Sequence, residues 1–395
     1  MHEGYTVRDV QFWVLVIGLG VASMFVFSAM YAVQPILPLF TREFDVSVAY
    51  SSMTMSAMTI GLIIGLITVG FISDRNGRRP YVAWSVILSA VPFVIIPFID
   101  SFFWIVVLRF FQGVALAGVP ALGRAYLNEE IHPQYRSIAT ALYISFNGIG
   151  GMSGRVLTGV LAENYSWQLA LFILAGSGIA IYVLLLFGLP KSRNFEPSHV
   201  SIEEDMKGFF VHFKNPKLLA IFGLGLVLQA SFTGVWTFLP FYLAEPPFNL
   251  PLDVISMTYF AYGMGIVGAP VAGVLAAKYG LSRVRAAGIF ILSAGVFMTI
   301  IPSISFVIVG MCVICAGFFT AHSLTATTVS NVATHHKGSA SSLYLVSYYV
   351  GVAIGSTLLG PVWEYGGWVW LVMITGILPV AYYVMLTWQT RGKTV

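Results

Sequence analysis

Twelve runs of about 20 apolar residues follow one another along this chain, and that feature leaves few folds open. Their approximate limits are 12–39, 48–73, 80–99, 102–126, 137–162, 168–189, 217–243, 254–277, 284–302, 305–331, 338–362 and 367–388. A helix of that length crosses the hydrocarbon core of a bilayer. In lipid each backbone N–H and C=O must be satisfied within the protein, so the runs read as helices. Composition agrees: 58% of the 395 residues are hydrophobic and 9% are charged, against about 25% charged in an ordinary soluble domain. Twenty basic and 16 acidic side chains cannot cover a soluble surface of this size. A soluble enzyme, a nucleic-acid-binding domain and a disordered chain are thereby excluded. The expected fold is an all-α integral membrane protein in which the first run is a true span, not a cleaved signal.

Basic residues orient the spans, because Lys and Arg concentrate in cytoplasmic loops. With both termini in the cytoplasm, the inner segments and helix ends hold 17 of them, from Arg8 through Arg75, Arg78, Arg79 and Arg136 to Arg391 and Lys393. The outer segments hold Arg42 alone, and Arg109 and Arg155 fall inside spans. A net charge of +4 thus describes charges flanking a membrane, not a surface for polyanions. The expected location is the cytoplasmic membrane, with multiple spans and both termini inside.

The long polar stretch 190–216 divides the spans six and six, giving bundles at 1–190 and 217–395 around a linker at 191–216. Ser201 and Glu204 form a capping box ahead of Ile202, Met206, Phe209, Phe210 and Phe213, which recur at helical spacing. That pattern predicts a short amphipathic helix on the membrane surface; a linker with a frayed helix is the alternative. The halves repeat. A shift of 201 takes Gly154 to Gly355, Gly159 to Gly360, Glu163 to Glu364 and Trp167 to Trp368. A shift of 202 takes Pro38 to Pro240, and one of 203 takes Gly65 to Gly268 and Gly77 to Gly280. Parallel halves of this kind are the mark of a transporter with its substrate site between them.

The loop after the second span reads Gly70-Phe-Ile-Ser-Asp74-Arg75-Asn-Gly77-Arg78-Arg79. Gly70 permits close helix approach, Gly77 a tight turn, and Asp74 is a lone acid among arginines at a helix end. Here the sequence resembles the major facilitator superfamily, whose loop signature is G-x-x-x-D-R-x-G-R-R. The resemblance extends over the whole chain. It implies two six-helix bundles and a cytoplasmic gate built from Gly70, Asp74, Arg75, Gly77 and Arg78, with Glu129 or Glu130 pairing Arg78. In the second copy of the loop, Ala277 stands where the acid would be. Arg109-Phe-Phe-Gln112-Gly113 resembles a second motif of the family, R-x-x-Q-G, associated with proton-coupled members. An Arg at that depth must be paired or solvated; it either braces the first span or takes part in proton coupling. Export-type members carry a glycine-rich motif with a Gly-Pro pair in span five, where this chain has Gly154-Arg155. The chain also looks similar to bacterial twelve-span efflux proteins of the drug/proton antiporter group.

Asn147, Gly151 and Arg155 are spaced four apart and share one face of span five. That face either meets a substrate cavity or packs as a brace. No acid lies near the middle of a span. Pumps for cationic drugs usually need one, so the candidate substrate residues are cationic or neutral: Arg155, Asn147, Gln34, Tyr31, Trp236, Tyr348 and His322. An Arg suits a carboxylate through paired hydrogen bonds. Candidates for proton coupling are Arg109, His322 and Asp74, His being the side chain that titrates near neutrality. Cys312 and Cys315 sit in an apolar run without the setting of a redox or metal pair. Gly263-Met-Gly265-Ile-Val-Gly268 matches a dinucleotide fingerprint only by letter, since no strand precedes it. The reading is a monomeric secondary transporter for a small anionic or zwitterionic solute. Its partners are protons and membrane lipid, and it carries no cofactor, no metal and no enzymatic activity. Proton-coupled export is favoured. Import of an organic anion, a multidrug or sugar efflux pump, and a non-transporting receptor or lipid flippase remain alternatives.

Overall fold

The computed structural model describes residues 4–195, 197, 211–333, 335 and 337–391. Among these residues every regular element is helical, with one isolated parallel bridge between Tyr5 and Ile131. Eleven helices are long and apolar enough to cross a membrane. In chain order they are α1 (Val10–Glu43), α2 (Val48–Asn76), α3 (Arg79–Phe98), α4 (Phe102–Glu130), α6 (Trp167–Gly188) and α7 (Pro216–Ala244). There follow α8 (Leu252–Tyr279), α9 (Leu281–Met298), α10 (Ile304–Val332), α11 (Gly338–Leu358) and α12 (Gly360–Trp388). The twelfth, α5 (Arg136–Asn164), is a continuous helix of 29 residues. Its glycines, serines, Asn147 and Arg155 leave it less apolar than the rest. The amphipathic segment Ser201 to Phe210 lies outside the described residues.

The chain clusters into two units. One comprises Met1–Val46, Ala57–Val200 and Pro251–Met257; the other comprises Ser47–Ser56, Ser201–Leu250 and Thr258–Val395. In the first, α1 lies along α5 and α6, and α3 lies against α6 and α4. In the second, α7 lies along α11 and α12, and α9 against α12 and α10. Glycines set the same approaches in both. A Cβ on Gly150 would collide with the Met24 carbonyl, and one on Gly154 with Ser28. In the second unit Gly351 meets the Leu226 carbonyl and Gly355 meets Ala230. These are the same four positions under the 201- and 202-residue shifts. Close backbone approach of this kind replaces the hydrophobic drive that lipid removes.

Two carboxylates repeat in the same way. Within the first unit, Glu163 at the end of α5 accepts the Leu252 N–H at 2.9 Å, beside the contact between Gly159 and Ser256. Within the second, Glu364 accepts the Ala49 N–H at 2.9 Å, beside Gly360. Each caps the first turn of a membrane helix, where N–H groups have no intrahelical acceptor. Removing either cap by Glu163→Ala or Glu364→Ala is expected to lower unfolding stability by about 1 kcal/mol. The Gln variants, which keep an acceptor, should lose less. Thermal unfolding of the four variants in one detergent checks this.

Candidate functional site

Arg155 organises the polar interior of the first unit. It lies on α5 and is 1% exposed. Its Nε donates to Gln34 Oε1 at 2.6 Å and its Nη1 to the Gly151 carbonyl at 2.7 Å. The guanidinium sits 3.9 Å from the centre of the Tyr31 ring, within cation–π range. Gln34 reaches it because Pro35, which lacks an N–H, helps interrupt α1 with a 3₁₀ turn at Gln34–Ile36. That turn and the side of α5 bearing Gly151 hold three candidate substrate residues together: Arg155, Gln34 and Tyr31. These contacts with a carboxamide, a carbonyl and a ring face fix the orientation of the guanidinium on α5. Asn147, two turns away on the same helix, instead accepts a hydrogen bond from the Ser23 hydroxyl.

Arg109 is fully buried on α4 and reaches α1. It donates to the carbonyls of Ala29 at 3.2 Å and Met30 at 2.9 Å, and to Gln112 Oε1. Gln112 in turn donates to the Ser89 carbonyl on α3 at 2.7 Å. Gly113 lets the Met58 carbonyl of α2 approach α4. The three defining residues of R-x-x-Q-G therefore tie α4 to α1, α3 and α2. Of the two roles left open by the sequence, this is the geometry of a brace.

At the loop after α2, Arg78 donates to Asp74, to the Ser73 hydroxyl at 3.0 Å and to Glu129 Oε1 at 3.0 Å. Burial opposes the Arg78 charge, but the bonds to Asp74 and Glu129 outweigh it and raise its pKa. Arg75 donates back to the Phe71 carbonyl of its own helix at 2.7 Å. Gly77 adopts φ +91, as does Gly280 in the repeat at +92, a left-handed conformation in which a Cβ is strained. At Gly70 an added Cβ would meet nothing within 4 Å. The close approaches along α2 are at Gly61, against the Phe110 carbonyl, and at Gly65, against Val114 and Ala117. Glu130 has a different task from its neighbour. It is 1% exposed and accepts the backbone N–H groups of Arg193 at 2.8 Å and Asn194 at 3.1 Å, pinning the start of the linker.

The second unit gathers aromatic rings. Trp236 is fully buried, stacks on Tyr259 at 5.0 Å and meets Tyr262 at 4.8 Å. Phe232 stacks on Phe318 at 3.9 Å, and Phe318 lies parallel to the His322 ring at 5.4 Å. His322 Nδ1 shares a hydrogen bond of 2.9 Å with the Tyr344 hydroxyl, and its ring lies 4.9 Å from Tyr348. The Trp236 indole N–H finds no acceptor among the described residues. The structure therefore joins His322, Tyr348 and Trp236 through one ring cluster. Tyr259, Tyr262, Phe232 and Tyr344 were not singled out in the sequence. The repeated i, i+4 aromatic spacing at 232 and 236, and at 318 and 322, was the available signal. No group of three or more metal-ligating side chains occurs among the described residues.

Comparison with known proteins follows this geometry. The sequence profile of the Major Facilitator Superfamily matches residues 19–356. An uncharacterized transporter of Buchnera aphidicola subsp. Schizaphis graminum is 35% identical, covering 90% of this chain and 86% of that protein. The inner membrane transport protein YnfM of Escherichia coli is 34% identical, covering 91% of this chain and 86% of its own length. Among solved structures, a bacterial homolog of the human lysosomal transporter Spinster superposes with a TM-score of 0.78 at 14% identity, covering 95% of this chain and 97% of that one. The nucleoside transporter NupG gives 0.77 at 15% identity, covering 94% and 99%. At those identities the two structures establish the fold alone.

Proposed function

Because the chain belongs to the major facilitator superfamily, we propose that it moves a small anionic or zwitterionic solute across the cytoplasmic membrane by alternating access, as a proton-coupled exporter. It is a multi-pass membrane transporter, like the relatives named above. The anionic substrate is our reading, and one observation carries it: a guanidinium buried within a span, on α5 beside Gln34 and Tyr31. A charge inside a span is expensive, at least about 2.5 kcal/mol even on the lenient insertion scale. An Arg at that depth is kept for a purpose, and its fork recognises a carboxylate on a solute by shape as well as charge. The chain's own acids sit at helix ends and in loops, which disfavours a cationic drug.

The test is a thermal-shift screen of the purified protein against matched pairs: organic acids, each beside its primary amide. Stabilisation by at least one acid and by no matching amide supports the reading. Stabilisation by amides or by organic cations alone overturns it.

His322 is our candidate for the coupling proton, on the strength of its hydrogen bond to Tyr344 and its place in the ring cluster. In proteoliposomes His322→Ala should weaken the response of flux to an imposed pH gradient while leaving pH-independent exchange near the wild-type rate. An unchanged gradient response removes His322 from the coupling path. The gate reading rests on Arg78 and its two carboxylates. At the exposed end of the range such pairs are worth about 0.2–1 kcal/mol, and Asp74, 40% exposed, is the more open of the two carboxylates. Asp74→Asn should therefore lower turnover a few-fold and leave substrate affinity nearly unchanged, because the loop biases conformations without touching solute. Paired measurements of initial rate and binding check it.

A further inference from the structure

A groove of about 330 Å³ runs between the beginning of α1 and the end of α6. Its walls are Val10, Trp13, Ile17, Gly18, Leu185 and Leu189, with almost no polar surface. The neighbouring Leu184 is 66% exposed and Trp13 42%, so the groove opens sideways to the membrane. Two glycines make it. A Cβ on Gly18 would lie 3.7 Å from the Leu189 side chain, and one on Gly188 would meet nothing within 4 Å. Trp13 is fixed as a wall by its indole N–H, which donates to the Val7 carbonyl at 3.0 Å.

One end of this apolar slot is basic. Exposed Arg8 precedes Val10 by two residues, and exposed Lys191 follows Leu189 by two. A third cation, Arg79, donates to the Leu186 carbonyl at 2.7 Å at the same end of α6. Among the described residues directly flanking these cations, the acid Asp9 is turned onto its own chain, accepting the N–H and hydroxyl of Thr6 at 2.7 and 2.9 Å. Three cations and one internally bonded carboxylate leave the mouth positive. We propose that this groove is a binding site for an anionic glycerophospholipid, one acyl chain lying between α1 and α6 and the phosphate resting against Arg8 and Lys191. Charge complementarity selects the occupant. A zwitterionic lipid would fill the slot equally well but gain less at its mouth, and free phosphate has no use for the slot.

The groove holds its own reporter. The full-length protein is placed in phosphatidylcholine nanodiscs containing a small fraction of brominated phosphatidylglycerol. The Trp13 signal is the difference in tryptophan quenching between wild type and Trp13→Phe. Expected is quenching that corresponds to local enrichment of phosphatidylglycerol on the order of ten-fold over its bulk fraction, and quenching at the bulk value for brominated phosphatidylcholine. Arg8→Gln with Lys191→Gln should return quenching to the bulk value. Gly18→Leu, which fills the slot with the charges intact, should do the same; Gly188→Leu, whose side chain starts in open space, repeats that test should Gly18→Leu misfold. Quenching that follows bulk composition for both lipids overturns the site. So does enrichment that survives filling of the slot, since the lipid would then be held by surface charge alone.

Discussion

Replacing Arg155 by Ala is expected to weaken binding of a carboxylate substrate by roughly 2–5 kcal/mol, the range for removing one partner of a desolvated charged pair. The protein should remain folded, as judged by gel filtration. The guanidinium's contacts with Gln34 and the Tyr31 ring reach α1, and its bond to the Gly151 carbonyl is within its own helix. Arg155→Lys should recover only part of the loss: an ammonium keeps the charge but not the planar fork that bonds a carboxylate through two N–H groups. A brace behaves otherwise, losing folding first and every ligand alike. Binding titrations of both variants, with an acid and with its amide, separate the two.

Arg109 should show that other behaviour. Its bonds to the Ala29 and Met30 carbonyls and to Gln112 hold α1 to α4 in a fully buried setting. Arg109→Ala leaves two carbonyls and a carboxamide oxygen without that donor, a loss of about 3–5 kcal/mol by analogy with broken buried charged networks. The expected result is a large fall in thermal stability. Gln112→Ala, which loses the link to α3, should fall less. Retained stability together with lost proton dependence would give Arg109 a coupling role instead of a structural one.

The two cations illustrate what a sequence of this kind discloses. Both stand out, because an Arg in an apolar run is costly and therefore used. How each is held depends on acceptors far away in sequence, supplied by residues 29–34 of α1, and no local pattern reports that. The twelve apolar runs and the repeat were legible, and the repeat proves literal at the level of contacts. Gly150 with Met24 returns as Gly351 with Leu226, and Glu163 with Leu252 returns as Glu364 with Ala49. Glu129 and Glu130 look equivalent as letters. One residue along a helix is about 100° around it, and that rotation sends one carboxylate to Arg78 and the other to the linker backbone. The ring cluster of Trp236, Tyr259 and Tyr262 was harder to see. The i, i+4 aromatic spacing at 232 and 236 hints at a shared face, but the stacking partners come from α7, α8 and α10, far apart in sequence.

Flux decides the account. Proteoliposomes loaded with a labelled organic acid that stabilises the protein are given an inward or an outward proton gradient, and loss of label is compared with protein-free vesicles. The account predicts rapid, gradient-dependent movement of the acid against protons by wild type, little by Arg155→Ala, and none of its amide. Movement of the amide at the same rate, or gradient-dependent flux that Arg155→Ala leaves untouched, would contradict it.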